Sequence, residues 1–193
     1  GYAPNGEFQV GGKSVDLKQY PAILTTLWLG VLNNDAQLEV TGESEEEQTY
    51  RIVGDPTEGA LIVAAAKAGA WHGEIKDAYP RENEVPFDSE RKRMTTLHPD
   101  PRYGDYVAYV KGAPDIVLGV STTVLEDGVI RPLTDERRDN ILEQNASLAA
   151  NALRVLGVAF RPLKQMPGEA TPETVERDLT FIGLLGMIDP ARP

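Results

Sequence analysis

Three short runs of this 193-residue chain carry residue types able to meet a ligand. In Pro86-Phe87-Asp88-Ser89-Glu90-Arg91-Lys92-Arg93-Met94, one aromatic lies beside three cations on a turn into a strand. An aromatic ring gives a nucleobase a flat face on which to stack, worth about 1–3 kcal/mol, and the cations would then meet its phosphates. The same run also reads as Phe87 plugging the core at a strand end, with the cations on a solvated turn. In Tyr109-Val110-Lys111-Gly112-Ala113-Pro114, Lys111 stands at the end of a strand beside Gly112, which permits close backbone approach. That pairing suits a bound planar ligand and equally an ordinary strand-to-helix turn. Glu58, in Gly54-Asp55-Pro56-Thr57-Glu58, is accounted for by a capping box alone, with Asp55 as N-cap and Pro56 at the first helical position. Arg154, at a helix-to-strand junction, fits either a phosphate cation or a surface ion pair.

Other chemistries are excluded by what the chain lacks. With no cysteine, thiolate nucleophiles, disulfides and cysteine-bound metals all drop out. His72 and His98 stand far apart without H-x-x-x-H spacing, so a zinc site is not expected, and each histidine is read as a surface or strand-end residue. The run GEFQVGGKS at Gly6 to Ser14 is one residue away from a phosphate loop, but no apolar strand precedes it to aim its N–H groups at a phosphate. G-x-S-x-G and G-x-G-x-x-G are absent. A net charge of −11 argues against nucleic acid as a partner. The most apolar stretch, Ala22 to Leu32, is far short of the roughly 20 residues of a membrane span and reads as a buried helix. No secretory leader pattern is visible, so a cytoplasmic setting is expected and the Asn145-Ala146-Ser147 acceptor pattern carries no chemistry.

The elements that must position these residues follow from punctuation and period. Pro21 opens a helix reaching about Asn33, with Leu24, Leu27, Trp28, Val31 and Leu32 on one face. Glu43 to Glu47 reads as a solvated acidic loop, and Thr49 to Val53 as a strand. The Asp55-capped helix runs to about Ala68, with Gly69 as its C-cap. Lys92 to His98 and Asp105 to Val110 read as antiparallel strands, and Pro114 begins a short helix through Leu118. Asp127-Gly128 marks a two-residue hairpin between 122–125 and 129–133. Thr134 caps a helix ending near Leu153, whose apolar stripe is Ile141, Leu142, Leu148, Ala149 and Ala152. Val155 to Phe160 and Leu179 to Met187 read as buried central strands. This order predicts an α+β fold over a single domain, 1–193, with one twisted antiparallel sheet flanked by helices. Asp189 to Pro193, with two prolines, reads as a stiff hinge.

Together the runs GDPTEGAL (54–61), PFDSERKRM (86–94), KGAPD (111–115), NALRVLGVAFR (151–161) and GLLGMIDPAR (183–192) resemble the nucleotide-binding domain of type II P-type cation-transporting ATPases, the calcium pumps in particular. Five motifs in the right order cover nearly the whole chain, and KGAP downstream of an FDSERKRM-type run is highly specific. The resemblance implies a cytoplasmic domain of an integral membrane protein, inserted into a phosphorylation domain through two hinge strands, one of them at Asp189-Pro190. It implies that Phe87 stacks on adenine, that Lys111 lies against the nucleotide and that Glu58 reaches the adenine amino edge. Lys92 and Arg154 would help with the phosphates, while Met94, Gly112 and Leu156 line the pocket. Where animal calcium pumps carry a phosphate-contacting arginine this chain has Ser89, which leaves Arg91 or Arg93 to supply charge.

The family forms its aspartyl-phosphate in a D-K-T-G-T motif, which this sequence does not contain. The resemblance therefore implies a chain that binds ATP, with magnesium carried on the phosphates, and presents it to the phosphorylation domain without hydrolysing it. The phosphorylation and actuator domains of the parent pump are the implied partners, with no membrane insertion by this chain. A rival from another class is an acidic protein-interaction module that docks a basic partner without binding nucleotide.

Overall fold

The computed structural model describes residues 2–42 and 48–188, so the acidic run Glu43 to Glu47 and the expected hinge at Asp189 to Pro193 lie outside the described residues. The chain divides into two units, Gly1–Ala78 and Tyr79–Pro193.

In the first unit, β1 (Gln9–Val10) and β2 (Lys13–Ser14) form a short hairpin. Its turn is Gly11-Gly12, both at positive φ (58° and 76°), so the glycines of the near phosphate loop serve a two-residue turn. Helix α1 (Pro21–Leu32) has the expected start. Its burial is wider than the expected face, because Leu29 and Gly30 are buried together with Leu27, Val31 and Leu32. Gly30 allows that close approach: a Cβ there would stand 3.3 Å from Leu61 Cβ. β3 (Gln37–Thr41) pairs antiparallel with β4 (Thr49–Val53). Asp55 caps α2 (Pro56–Lys67), accepting from the N–H groups of Thr57 at 2.8 Å and Glu58 at 3.2 Å. Helix α3 (His72–Ala78) follows, and the core is Ala36, Leu38, Ile62 and Ala66 backed by Tyr50, Ile52, Val63 and Trp71.

The second unit contains β5 (Asn83–Asp88), β6 (Arg93–Pro99), β7 (Tyr106–Gly112), α4 (Pro114–Gly119), β8 (Ser121–Glu126), β9 (Val129–Pro132), α5 (Asp135–Ala150), β10 (Arg154–Leu163), α6 (Pro172–Val175) and β11 (Leu179–Met187). Its seven strands form one sheet in the order β5-β6-β7-β10-β11-β8-β9. The α+β class and the helix-flanked sheet are as the sequence implies. One pairing differs: β8 and β11 run parallel, while the rest are antiparallel. Parallel neighbours need a long crossover, and the chain between β8 and β11 supplies it with β9, α5, β10 and α6. Pro86 sits within β5, which is tolerated because β5 is an edge strand where a missing N–H breaks no ladder bond. The Asp127-Gly128 turn has positive φ at both residues (49° and 77°), as its sequence implies. Helix α5 buries less than expected, since none of its residues is fully buried and Leu142 is 36% exposed. Only a narrow stripe, including Ile141, meets the core of Val110, Val117, Leu118, Val124, Ala159, Leu179 and Phe181.

His98, expected at the surface or a strand end, is buried one residue before the end of β6. Its Nδ1–H donates to the Tyr79 carbonyl at 2.9 Å, and among the described residues its buried Nε2 has no hydrogen-bond partner. Burial pushes its pKa down to about 4, against the opposing pull of the Tyr79 carbonyl. Nearby, burial pushes Asp100 up, but the hydrogen bonds it accepts from Arg102 (2.6 Å) and Tyr109 (2.5 Å) outweigh this and hold it below the ordinary carboxylate range.

Candidate functional site

The register of the second unit gathers most of the singled-out residues at one end of its sheet. Asp88 lies opposite Arg93, Arg93 opposite Gly112, and Gly112 opposite Gly157. One step along, Met94 faces Lys111, which faces Val158 on β10. Directly opposed residues share a face, and side chains alternate with a period of two, so Leu156 and Arg154 lie on the same face as Met94 and Lys111. Met94 and Lys111 are buried at 3% and 7% exposure, Leu156 is half-buried and Arg154 is exposed. Two apolar side chains, Met94 and Leu156, and two cationic ones, Lys111 and Arg154, thus stand on one face of adjoining strands.

The turn between β5 and β6 sits at this end. Asp88 Oδ1 accepts from the N–H groups of Glu90 (3.0 Å) and Arg91 (2.7 Å), and the Lys92 N–H donates to the Asp88 carbonyl at 2.6 Å. Lys92 adopts φ 54° and turns its carbonyl toward the Ala113 N–H, at 3.0 Å. A Cβ at position 112 would lie 2.4 Å from that carbonyl oxygen, so strand packing alone requires Gly112. Phe87 is 64% exposed, which removes the core-plug reading; Val85, at 8%, occupies the core with Leu97, Ala108 and Val175. The register shift between Val85 and Asp88 takes Phe87 out of the ladder.

Arg91 and Arg93 do not join Lys111 on its face. Both bind Glu176, whose side chain is fully buried: Arg93 Nε donates to Oε2 at 2.6 Å, and Arg91 pairs with Oε1. Oε1 also accepts from the Thr95 hydroxyl at 2.6 Å. Arg93 and Thr95 alternate with Met94, so they project from the opposite side of β6. Sequence reasoning did not find Glu176, and no spacing signal could have found it, since its partners lie 81 to 85 residues away.

Glu58 belongs to the first unit. The carboxylate expected to close a capping box accepts from the Asp35 N–H at 3.0 Å, and the Glu58 carbonyl accepts from Asn34 Nδ2 at 2.9 Å. It therefore ties the turn after α1 to the start of α2. Among the described residues no group of three or more His, Cys, Asp or Glu is placed to hold a metal, and no helix is long and apolar enough to cross a membrane.

Comparison with known proteins identifies the family. The family model for the P-type ATPase cytoplasmic domain N matches residues 23–193. The chain is 37% identical over 195 residues to a calcium-transporting ATPase of Bacillus subtilis, covering 100% of this chain and 21% of that protein. It is 38% identical over 200 residues to the cation-transporting ATPase pma1 of Synechocystis, again covering 100% of this chain and 21% of the relative. It is 34% identical over 194 residues to a probable cation-transporting ATPase F of Mycobacterium tuberculosis, covering 100% of this chain and 20% of the relative. The chain thus spans about a fifth of the length of these relatives. With the family model matching nearly its whole length, the chain belongs to the P-type ATPase cytoplasmic domain N family.

Proposed function

We propose that this chain binds ATP at the β5–β6 end of the second unit's sheet and presents the γ-phosphate to an aspartate on the phosphorylation domain of a parent cation pump. The observation that carries the proposal is Phe87: a large aromatic 64% exposed, on a turn tied down on both sides, beside a sheet end bearing Lys92, Lys111 and Arg154. An apolar ring left in water in the free chain gains about 1–3 kcal/mol when a base covers it. The three cations then offset the charge of a triphosphate on a chain that is otherwise acidic. Met94 and Leu156 supply apolar contact, and Gly112 keeps the Lys111 backbone close to the turn. Glu58 is proposed as the contact to the adenine amino edge.

ATP is the substrate here, and magnesium arrives with it on the phosphate oxygens. Catalysis by such a domain is delivery: holding the base makes phosphoryl transfer effectively intramolecular once hinge closure brings the domains together. The chain is proposed to act as one nucleotide-binding domain, with 189–193 as the hinge and the phosphorylation and actuator domains as partners. The relatives' names favour a transported cation, calcium among them. Because the D-K-T-G-T aspartate is absent from this sequence, the isolated chain is proposed not to hydrolyse ATP.

The test is an ATP titration followed by backbone amide shifts together with a phosphate-release assay. Shifts clustered at Phe87, Lys92 and Lys111, with weak binding near millimolar (about −4 kcal/mol) and no steady phosphate release, support the reading. No cluster there, with binding to a basic protein in its place, would convert the assignment to an acidic interaction module.

A further inference from the structure

A continuous polar chain runs from the buried side of the sheet to the exposed ring of Phe87. Glu176, directly after α6, accepts from Arg93 Nε and the Thr95 hydroxyl, each at 2.6 Å, and from Arg91. Arg91 then donates through its other terminal nitrogen to the Pro86 carbonyl, the peptide oxygen immediately before Phe87. On the far side of the ring, Asp88 accepts from two N–H groups of the turn. Phe87 itself has neither a ladder partner nor core contacts to orient it, being bulged out of β5 and 64% exposed.

We infer that Glu176 is a positioning residue for the Phe87 platform. It fixes Arg91, Arg91 fixes the Pro86 carbonyl, and the backbone that carries the ring is held in place before a nucleotide arrives. The inference rests on the reading of Phe87 as the adenine platform. Two physical arguments support it. Val85, Leu97, Ala108 and Val175 form an apolar cluster beside Glu176, where an apolar side chain would fill the space without the desolvation that a buried carboxylate incurs. A charge kept at that cost is explained by the geometry it imposes. The second argument is pre-organisation: a ring whose backbone is already fixed forfeits less conformational freedom on stacking, so more of the stacking energy appears as affinity. The clamp also engages both arginines on the side away from Lys111.

The experiment is a double-mutant cycle on the 193-residue chain, titrating ATP and, separately, inorganic tripolyphosphate. Glu176→Gln keeps the side chain's shape and removes its charge. Arg91→Gln removes the bonds to Glu176 Oε1 and to the Pro86 carbonyl but spares the Arg93 and Thr95 bonds, so it serves if Glu176→Gln fails to fold. Each is expected to weaken ATP binding about tenfold, or about 1.4 kcal/mol, while tripolyphosphate binding changes less than about twofold. In a Phe87→Leu background the same substitutions are expected to have no further effect on ATP, because there is no ring left to position. Additive losses in that background would overturn the inference, as would equal losses for tripolyphosphate, unchanged ATP affinity in folded variants, or tighter ATP binding from freed arginines. If Phe87→Leu alone leaves ATP affinity intact, the reading of the platform fails first and takes the inference with it.

Discussion

Acidification singles out one residue of the second unit in a way that can be worked through to a number. Burial holds His98 neutral down to about pH 4, whereas an unfolded histidine takes up its proton near 6.5. Arg81 adds to the downward push, and the Tyr79 carbonyl and Asp100 oppose it. Between those two pH values the unfolded chain binds a proton that the folded chain does not, so stability must fall as pH falls. The contribution is complete above about pH 6.5 and is lost progressively toward pH 4. A gap of about two and a half units at 1.36 kcal/mol each amounts to roughly 3 kcal/mol across the window. Asp100 does not confuse the measurement, because its depressed pKa places its own contribution at more acidic pH. The perturbation is His98→Gln, whose amide can still donate to the Tyr79 carbonyl but does not titrate. Denaturant midpoints of both proteins from pH 5 to pH 7.5 should diverge on the way down, the wild type losing more stability than the variant, whose remaining slope comes from His72, also held below its ordinary pKa by burial. Parallel curves over that range would show that burial does not control His98 as argued.

Four substitutions at three positions probe the candidate site. Phe87→Leu should cost roughly 1–3 kcal/mol of ATP binding while the denaturant midpoint shifts by less than about 0.5 kcal/mol, since an exposed ring contributes little to the core; Phe87→Trp should keep both. Gly112→Ala places a Cβ 2.4 Å from the Lys92 carbonyl oxygen, so the β5–β6 turn must move. A destabilisation of about 1–3 kcal/mol is expected by chemical denaturation, and an unchanged midpoint would show that the close approach relaxes freely. Glu58→Gln keeps an acceptor for the Asp35 N–H, so thermal stability should change by only a few tenths of a kcal/mol. A modest loss of ATP affinity alongside that unchanged stability would give Glu58 a ligand role, and equal affinity would confine it to holding its turn.

What the sequence revealed was whatever depends on local period and punctuation. Pro21, Asp55, Thr134 and Asp127-Gly128 each act within a few residues of themselves, and the elements they mark are where they imply. The bend that exposes Phe87 needs a pairing partner to define it, so the sequence left two readings of that ring open. Likewise, nothing adjacent to Arg91 or Arg93 indicates that both turn toward an acid more than eighty residues later. The parallel contact of β8 with β11 is similarly non-local, because strand direction is decided by the route between strands and not by the strands themselves.

That route has a consequence for how the chain is made. β11 is the last of the seven strands to be synthesised, yet it lies between β10 and β8. While a ribosome adds about 5–20 residues per second, the β8–β9 hairpin and α5 exist for several seconds with no sheet to join. During that interval β10 and β8 each present an open edge of unpaired backbone groups, the kind of template on which another unfinished chain can pair. The flank carrying Phe87, Met94 and Lys111 can zip up early from consecutive strands, β5 to β6 to β7. Its anchor, Glu176, emerges only just before the strand that closes the sheet, so the turn is fixed in the same step that removes the open edges.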